Sequence, residues 1–521
     1  MASPIASTEQ GFYNVTVQEK AHDLKAAEEV SYTGLVEGLR RVYQSGKTKN
    51  LEWRRKELKA LQRLHTENHE RIAEALLKDH GGPKIRALFE LSGHTAAQEA
   101  LNNLDSWTAP EPVKHDGFTG KSYIRKEPKG VVLLISPWNF PFNLTFEGLV
   151  PIIAAGNCCV IKPSEVSTHS GALMAELIPR YMDNEAIKVV TGAVPETTAL
   201  LREKFDHIMY TGNGAVGRIV MAAAARHLTP VTLELGGKSP TYVDKSAKID
   251  TAIARILMAK LLNCGQICIA PDYILVHKDV AAEFKSKIVA EIKRQYGEST
   301  EGRKNHKDYA NIINSRHVGR IFNLVDETSG KIILGGEADA HNKFMDPTII
   351  DEPGMNDSVM REEIFGPVLP ILTVDSVEDA VQRVNAICDH PLALYIYAED
   401  QATIDTYLNG TTSGGVCVNS CIEHIANSNL PFGGVGESGM GAYHGKRGFE
   451  EFSHQRSVLV KDTFFQKGAL LPGPPYSDKL YDIAYKLQIG GFVTESQKSL
   501  LKMGGAAVAA LVALRMVKSR L

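Results

Sequence analysis

Phe205-Asp206-His207-Ile208-Met209-Tyr210-Thr211-Gly212-Asn213-Gly214-Ala215-Val216-Gly217 is a short apolar run ending in a glycine-rich turn, and an alanine-rich stretch continues through Ile219 to Ala225. The apolar residues from Phe205 to Tyr210 predict a strand, and the alanine-rich stretch beyond the turn predicts a helix. Gly212, Gly214 and Gly217 have the G-x-G-x-x-G spacing. Glycine lets a backbone approach a phosphate, and the free N–H groups of a helix start favour the anion. Plain tight turns share the spacing; the strand before it and the helix after it favour the dinucleotide reading.

The alternation repeats on both sides of this stretch. Residues 130–136 (GVVLLIS) and 158–162 (CCVIK) are further apolar runs of strand length. A second series begins near Val231, continues at 273–276 and runs to about Ser420. Strand–helix alternation predicts α/β architecture with parallel, doubly wound sheets, here two domains with the cofactor-binding one first and a catalytic one second. Residues 26–80 carry apolar positions at three-to-four spacing among many charges and read as helical. Residues 116–127 and 449–460 fit neither series, and there is no internal repeat.

Composition sets the bounds. A chain of 521 residues is too long for one core. Apolar residues at 43% and charged residues at 23% are ordinary for a globular protein, and a net charge of −3 gives no reason to expect nucleic acid as a partner. Seven scattered cysteines make no disulfide framework, and residues 1–10 have neither the basic nor the apolar region of a signal peptide. A reducing compartment is expected.

Asn263-Cys264-Gly265-Gln266-Ile267-Cys268-Ile269-Ala270 places a cysteine in a polar, glycine-containing turn after a helical run. Upstream, Leu233-Glu234-Leu235-Gly236-Gly237-Lys238 sets a carboxylate among apolar residues before a glycine pair. A thiol that attacks a carbonyl and a carboxyl that activates water would together make and hydrolyse a thioester. Asn139, in Ser136-Pro137-Trp138-Asn139-Phe140-Pro141, caps a turn on the plainest reading, or offers an amide N–H to an oxyanion beside the cysteine. Lys162 and Glu165, three apart at a strand end, are either a solvated pair or two groups for the hydroxyls of an adenosine ribose. Glu363 and Phe365 precede a Gly-Pro turn. Cys264 with Cys268, and Cys417 with Cys421, lack the C-x-x-C spacing of structural zinc, so no metal site is expected; Cys158, Cys159 and Cys388 read as small buried hydrophobes.

These segments, in this order, resemble the aldehyde dehydrogenase superfamily, class 3 type, nearest to membrane-associated fatty aldehyde dehydrogenases. The likeness runs over about residues 30–465 and includes Pro431-Phe432-Gly433-Gly434-Val435-Gly436-Glu437-Ser438-Gly439-Met440-Gly441. Gly214 stands where the family usually has Ser or Thr, and Glu437 where Asn is usual. The resemblance implies Cys268 as nucleophile, Glu234 as the base for hydrolysis and Asn139 as oxyanion donor. It implies NAD contacts at Trp138, Lys162, Glu165, Gly212, Gly217, Glu363 and Phe365, with NAD favoured over NADP by Glu165 although class 3 relatives accept both. It further implies an extension at 1–27, an NAD-binding domain at 28–233 with 116–127 in a dimerisation arm, a catalytic domain at 234–430, a return to the first domain and arm at 431–465, and a tail at 466–521. A homodimer acting on medium- to long-chain aliphatic aldehydes is implied as well, with aromatic or short aldehydes as the alternative. A cofactor-free esterase and a silent scaffold of the same fold are the other readings; Cys268, Glu234 and Asn139 are all present, which disfavours the scaffold.

In the tail, residues 503–514 (MGGAAVAALVAL) are uncharged between basic flanks. A helix of that length spans about 18 Å, short of a ~30 Å hydrocarbon core, so it reads as membrane-interacting or as a packed helix. The chain ends Ser519-Arg520-Leu521, a variant of the peroxisomal address. A cytosol-facing membrane or the peroxisome is expected, with the mitochondrial outer membrane and endoplasmic reticulum as alternatives.

Overall fold

A computed structural model of the chain describes residues 30–114, 121–461 and a few positions between 477 and 485. The extension at 1–27, the apolar stretch at 503–514 and the terminal tripeptide lie outside the described residues, as do 115–120 within the expected arm. Before the sheets, the long helical pattern is broken in two, Thr33–Gln44 and Leu51–His80. Gly46 takes a left-handed φ of 82° between them, and the Asn50 side chain accepts from the Glu52 N–H to start the second helix.

In chain order the strands are β1 (Glu111–Pro112), β2 (Lys121–Pro128), β3 (Val131–Ile135), β4 (Cys158–Lys162), β5 (Ile187–Val189), β6 (His207–Thr211) and β7 (Val231–Glu234). They continue as β8 (Pro240–Val243), β9 (Tyr273–His277), β10 (Lys331–Leu334), β11 (Ala338–Asp339), β12 (Phe344–Met345), β13 (Thr348–Asp351), β14 (Val368–Val374), β15 (Ala393–Tyr397), β16 (Gly415–Val418), β17 (Gly439–Met440) and β18 (Ser453–Val460). One sheet has the order β17-β7-β6-β3-β4-β5 and a second the order β10-β13-β14-β9-β8-β15-β16. Both are parallel except for an antiparallel edge, β17 in the first and β10 in the second. The doubly wound α/β reading holds. Helices cover both faces of a parallel sheet, which is why β3, β4, β6, β9 and β15 are buried along their whole length and are apolar except at their ends.

Among the described residues, the two sheets fall in one compact unit, 30–110 with Arg125–Arg456. A second unit takes the described residues of 111–124 and those from Ser457 on, and the segments that fitted neither strand series supply β2 and β18 of a three-stranded sheet, order β1-β2-β18.

The order of the first sheet positions the chemistry. The chain passes from β3 outward through β4 and β5, then returns to place β6 and β7 on the other side of β3. Ligands of such sheets bind outside the strand carboxyl ends where the order reverses. There Lys162 ends β4, Trp138 and Asn139 come after β3, Gly212 comes after β6, and Glu234 ends β7.

Candidate active site

The cysteine loop begins where the helix Ile249–Leu261 stops. Asn263, Cys264 and Gly265 take consecutive left-handed φ values of 52°, 55° and 74°. Two of the three bear a Cβ, a strained arrangement that only its surroundings maintain. A Cβ on Gly265 would sit 2.2 Å from the Gly366 carbonyl oxygen, so only glycine allows this loop to lie against the turn after Phe365. The Gln266 amide holds the rest: Nε2 donates to the Asn263 and Asn311 carbonyls at 2.9 and 3.0 Å, and Oε1 accepts from the Ile313 N–H at 2.9 Å. Tyr395 donates its hydroxyl to the Ile269 carbonyl at 2.6 Å. Cys268 keeps part of its surface open, whereas Cys264 is fully buried.

Asn139 is 3% exposed and joins this loop through both ends. Its Nδ2 donates to the Gln266 carbonyl at 3.1 Å, while its backbone carbonyl accepts from Asn263 Nδ2 at 2.9 Å and Arg86 Nη2 at 3.1 Å. A side-chain amide has two N–H bonds, so the one given to Gln266 fixes the orientation while a second donor remains on the same nitrogen. Trp138 is half-buried, with Phe365 edge-on at 5.4 Å and the His80 and His317 rings 6.2 and 5.3 Å away. His80 Nε2 donates to the Trp138 carbonyl at 3.0 Å, and burial beside Arg86 keeps that ring neutral.

Glu234 is 2% exposed, and neither carboxyl oxygen has a hydrogen-bond partner in the protein. Burial first, then the Glu451 charge, push its proton affinity well up. Glu363 lies against the glycine pair just after Glu234; a Cβ on Gly236 would fall 1.9 Å from its Oε2. Burial and Asp272 raise its carboxyl to about 8 against Arg320, Lys238 and the Gly237 N–H. The Cys268 thiol is raised far above its ordinary value by burial, then by Glu363 and Glu234, which brings all three into one electrostatic neighbourhood. The resting centre therefore sets a thiol beside two carboxyls whose hold on a proton is strengthened by burial and by a neighbouring carboxylate's charge. Because a raised thiol yields thiolate only as pH climbs, iodoacetamide should label Cys268 slowly at neutral pH and progressively faster into the alkaline range. Mass spectrometry of the Cys268 peptide reads this; a rate already at its plateau at pH 6 would contradict it.

Lys238 and Asp272 tie the three segments together. Their 2.5 Å ion pair is almost wholly buried, with side chains 5% and 4% exposed. Lys238 Nζ also donates to the Val359 and Glu362 carbonyls at 2.8 and 2.9 Å, and Asp272 Oδ1 accepts from the Ile364 N–H at 3.0 Å. One clamp thus joins the turn after Glu234, the exit of the cysteine loop and the segment carrying Glu363 and Phe365.

At the cofactor end, Lys162 is 2% exposed, and its Nζ donates to the Pro163 carbonyl at 2.7 Å and to Glu165 Oε2 at 3.3 Å. Glu165 itself is exposed. The helix Gly214–Ala225 starts on Asn213, whose Oδ1 accepts from the Val216 N–H at 3.0 Å. A Cβ on Gly212 would meet the Tyr210 hydroxyl at 2.2 Å, and one on Gly217 would meet Leu235 at 2.8 Å. Gly212 is thus required by close approach at the turn, and Gly217 by packing of the helix on the chain after β7. A glycine cradle, a helix start and a buried lysine with an exposed carboxylate at adjacent strand ends fit a dinucleotide. Arg218 of that helix pairs with Glu437 at 2.6 Å, both largely exposed. Among the described residues no group of His, Cys, Asp and Glu is placed to hold a metal ion.

Comparison with known proteins places this geometry. The sequence profile of the aldehyde dehydrogenase family matches residues 7–458. The chain belongs to the aldehyde dehydrogenase family. A rat relative, "Aldehyde dehydrogenase, dimeric NADP-preferring", is 46% identical over 454 residues, covering 86% of this chain and 99% of that protein. Rat "Aldehyde dehydrogenase family 3 member A2" is 44% identical, covering 85% and 91%. Among solved structures, a substrate-bound state of Staphylococcus aureus AldH superposes with a TM-score of 0.81 at 36% identity, covering 86% of this chain and 98% of that one. The protein is an oxidoreductase acting on aldehydes, and its cofactor is NAD(P).

Several residues that hold this aldehyde dehydrogenase's site together carry no signal in the sequence. Arg86 and His80 sit in a stretch with no catalytic pattern, yet they fix the carbonyls of Asn139 and Trp138. Lys238 and Asp272 read as ordinary surface charges until burial pairs them. Cys388 corrects a sequence expectation: it is half-exposed rather than a buried hydrophobe, because it falls just past the end of the helix Val377–Ile387, in the turn toward Pro391.

Proposed function

We propose that this aldehyde dehydrogenase oxidises medium- to long-chain aliphatic aldehydes to carboxylic acids through a thioester on Cys268. The observation that carries the mechanism is a partly open thiol beside a buried carboxyl, Glu234, that makes no hydrogen bond within the protein. The Cys268 thiol gives its proton to a water molecule, and the sulfur attacks the aldehyde carbon. Asn139 Nδ2 and the main-chain N–H at Cys268 hold the oxygen while it is anionic. NAD(P), when bound, supplies the hydride acceptor; Gly212 and the helix start hold its phosphates, Lys162 and Glu165 its adenosine ribose, and Glu363 and Phe365 its nicotinamide end. Glu234 then takes a proton from water as the water oxygen attacks the thioester carbon, and the C–S bond breaks to release the acid.

Support for aliphatic substrates comes from the resemblance to membrane-associated fatty aldehyde dehydrogenases and from the uncharged stretch at 503–514. Membrane association through that tail, peroxisomal import through Ser519-Arg520-Leu521 and a homodimer belong to the same proposal. NADH formation should rise in kcat/KM from a short aldehyde to hexadecanal. A flat or falling series would leave aromatic or short aldehydes as the better reading.

Glu165 is the group expected to set cofactor choice, since a carboxylate at a ribose 2′-hydroxyl repels a 2′-phosphate. Glu165→Gln should raise the ratio of kcat/KM for NADP over NAD by about tenfold. An unchanged ratio would remove Glu165 from that role.

A further inference from the structure

Behind Glu234 runs a line of polar groups that the thioester chemistry leaves idle. Lys129 Nζ donates to His207 Nδ1 at 3.1 Å, His207 Nε2 donates to Thr232 Oγ1 at 2.7 Å, and Thr232 Oγ1 donates to Glu451 Oε1 at 2.7 Å. His207 and Thr232 are fully buried. Burial and the neighbouring Lys129 charge keep His207 neutral, so one ring nitrogen accepts while the other donates. Every bond points the same way, from an ammonium to a carboxylate. Such a line holds the Glu451 carboxyl in one orientation against the sheet.

Glu451 is placed to act on Glu234. Thr232 and Glu234 are alternate residues of β7 and project from the same face of the strand. Gly441 gives the carboxylate its room, since a Cβ there would lie 2.9 Å from Glu451 Oε1 and 3.1 Å from Thr232 Cγ2. The charge of Glu451 is felt at Glu234. The groups facing Glu451 are Thr232, His207 (Nε2 at 3.8 Å), Lys129 and Glu234; those facing Glu234 are Glu451, Cys268 and Tyr443. Glu234 is closed off from solvent, whereas the Glu451 side chain is 24% exposed. A base that takes a proton from water in every cycle must lose it before the next, and Glu234 itself presents almost no surface to solvent.

We propose that Glu451 resets Glu234 by taking that proton through one water molecule and releasing it to solvent, held in place for this by Thr232, His207 and Lys129. The proton moves from the Glu234 carboxyl to the Glu451 carboxylate and then to bulk water or buffer, and no other bond changes. Glu451 is thus a positioning residue that acts through Glu234, and this role rests on the assignment of Glu234 as the base for hydrolysis.

Stopped-flow NADH formation separates the two. In Glu451→Gln the first turnover should match the parent enzyme, while steady-state kcat falls about tenfold with a larger solvent deuterium effect, and Glu451→Asp should restore part of it. Thr232→Val, which keeps the carboxylate but frees it, should shift kcat in the same direction and serves if the Gln variant does not fold. An equal loss in first turnover and kcat, or an unchanged kcat and isotope effect in both variants, would overturn the proposal. Glu234→Gln is the control: if it too leaves thioester hydrolysis intact, the assignment of Glu234 fails; if it blocks hydrolysis while the Glu451 and Thr232 variants are unaffected, only the reset role fails.

Discussion

Cys268→Ala is expected to lower NADH formation by at least about 10³-fold on every aldehyde tested, with the melting temperature nearly unchanged. The thiol is partly open, so removing its sulfur leaves little cavity, and the loop around it is held by Gln266, Asn263 and Tyr395 and not by Cys268. Cys264→Ala should behave in the opposite way. That sulfur is fully buried against Tyr309 and Tyr296, so its loss should cost about 1–2 kcal/mol of stability and leave kcat within a few-fold. Activity and thermal denaturation of the two variants, measured together, check both halves. Equal losses of activity would mean that the loop, and not the Cys268 sulfur, is what the substitution removes.

Lys238→Met should be the most damaging single change to stability among the residues around the site. It leaves the buried Asp272 carboxyl without its ion-pair partner, a loss that costs about 3–5 kcal/mol. It also strips the Val359 and Glu362 carbonyls of their donor. Denaturant unfolding should show that loss, and kcat should fall because Glu363 and Glu234 are no longer held against one another through the intervening turn. Replacing both partners, as in Lys238→Met with Asp272→Leu, should recover much of the stability, since a buried pair is often no better than an apolar one. Activity should not return with it, because the Ile364 N–H would still lack the carboxylate that anchors the Glu363 segment. A double variant as unstable as the single one would show that the pair contributes by shape alone.

Much of the fold was legible because its core strands are buried on both faces. β4 and β9 are uninterrupted apolar runs, and their ends lie within a residue of where the pattern stops. The break at Gly46 was not, since heptad-like spacing continues across it and one glycine among charges is weak punctuation. For the site, residue types and their order along the chain could be read, because thiol, carboxyl and amide lie in glycine-punctuated segments. Their supports could not. Arg86 reaches Asn139, 53 residues on, and the His207–Thr232–Glu451 line joins positions 25 and 219 residues apart, contacts that no local pattern encodes.

The strand that carries Glu234 also has a neighbour drawn from very late in the chain. β17, at Gly439–Met440, closes the outer edge of the first sheet by pairing with β7 at Glu234 and Leu233. A nascent polypeptide that has emerged only through β16 can assemble five strands of that sheet but must leave the edge at Glu234 unpaired, with its backbone groups open to any passing strand. Completion waits for nearly the whole catalytic sheet to be synthesised, the kind of long-range closure that slows folding and exposes a chain to aggregation. Synthesis order thereby becomes part of the folding problem: a chain cut short before residue 439 lacks the strand that pairs with Glu234 and Leu233.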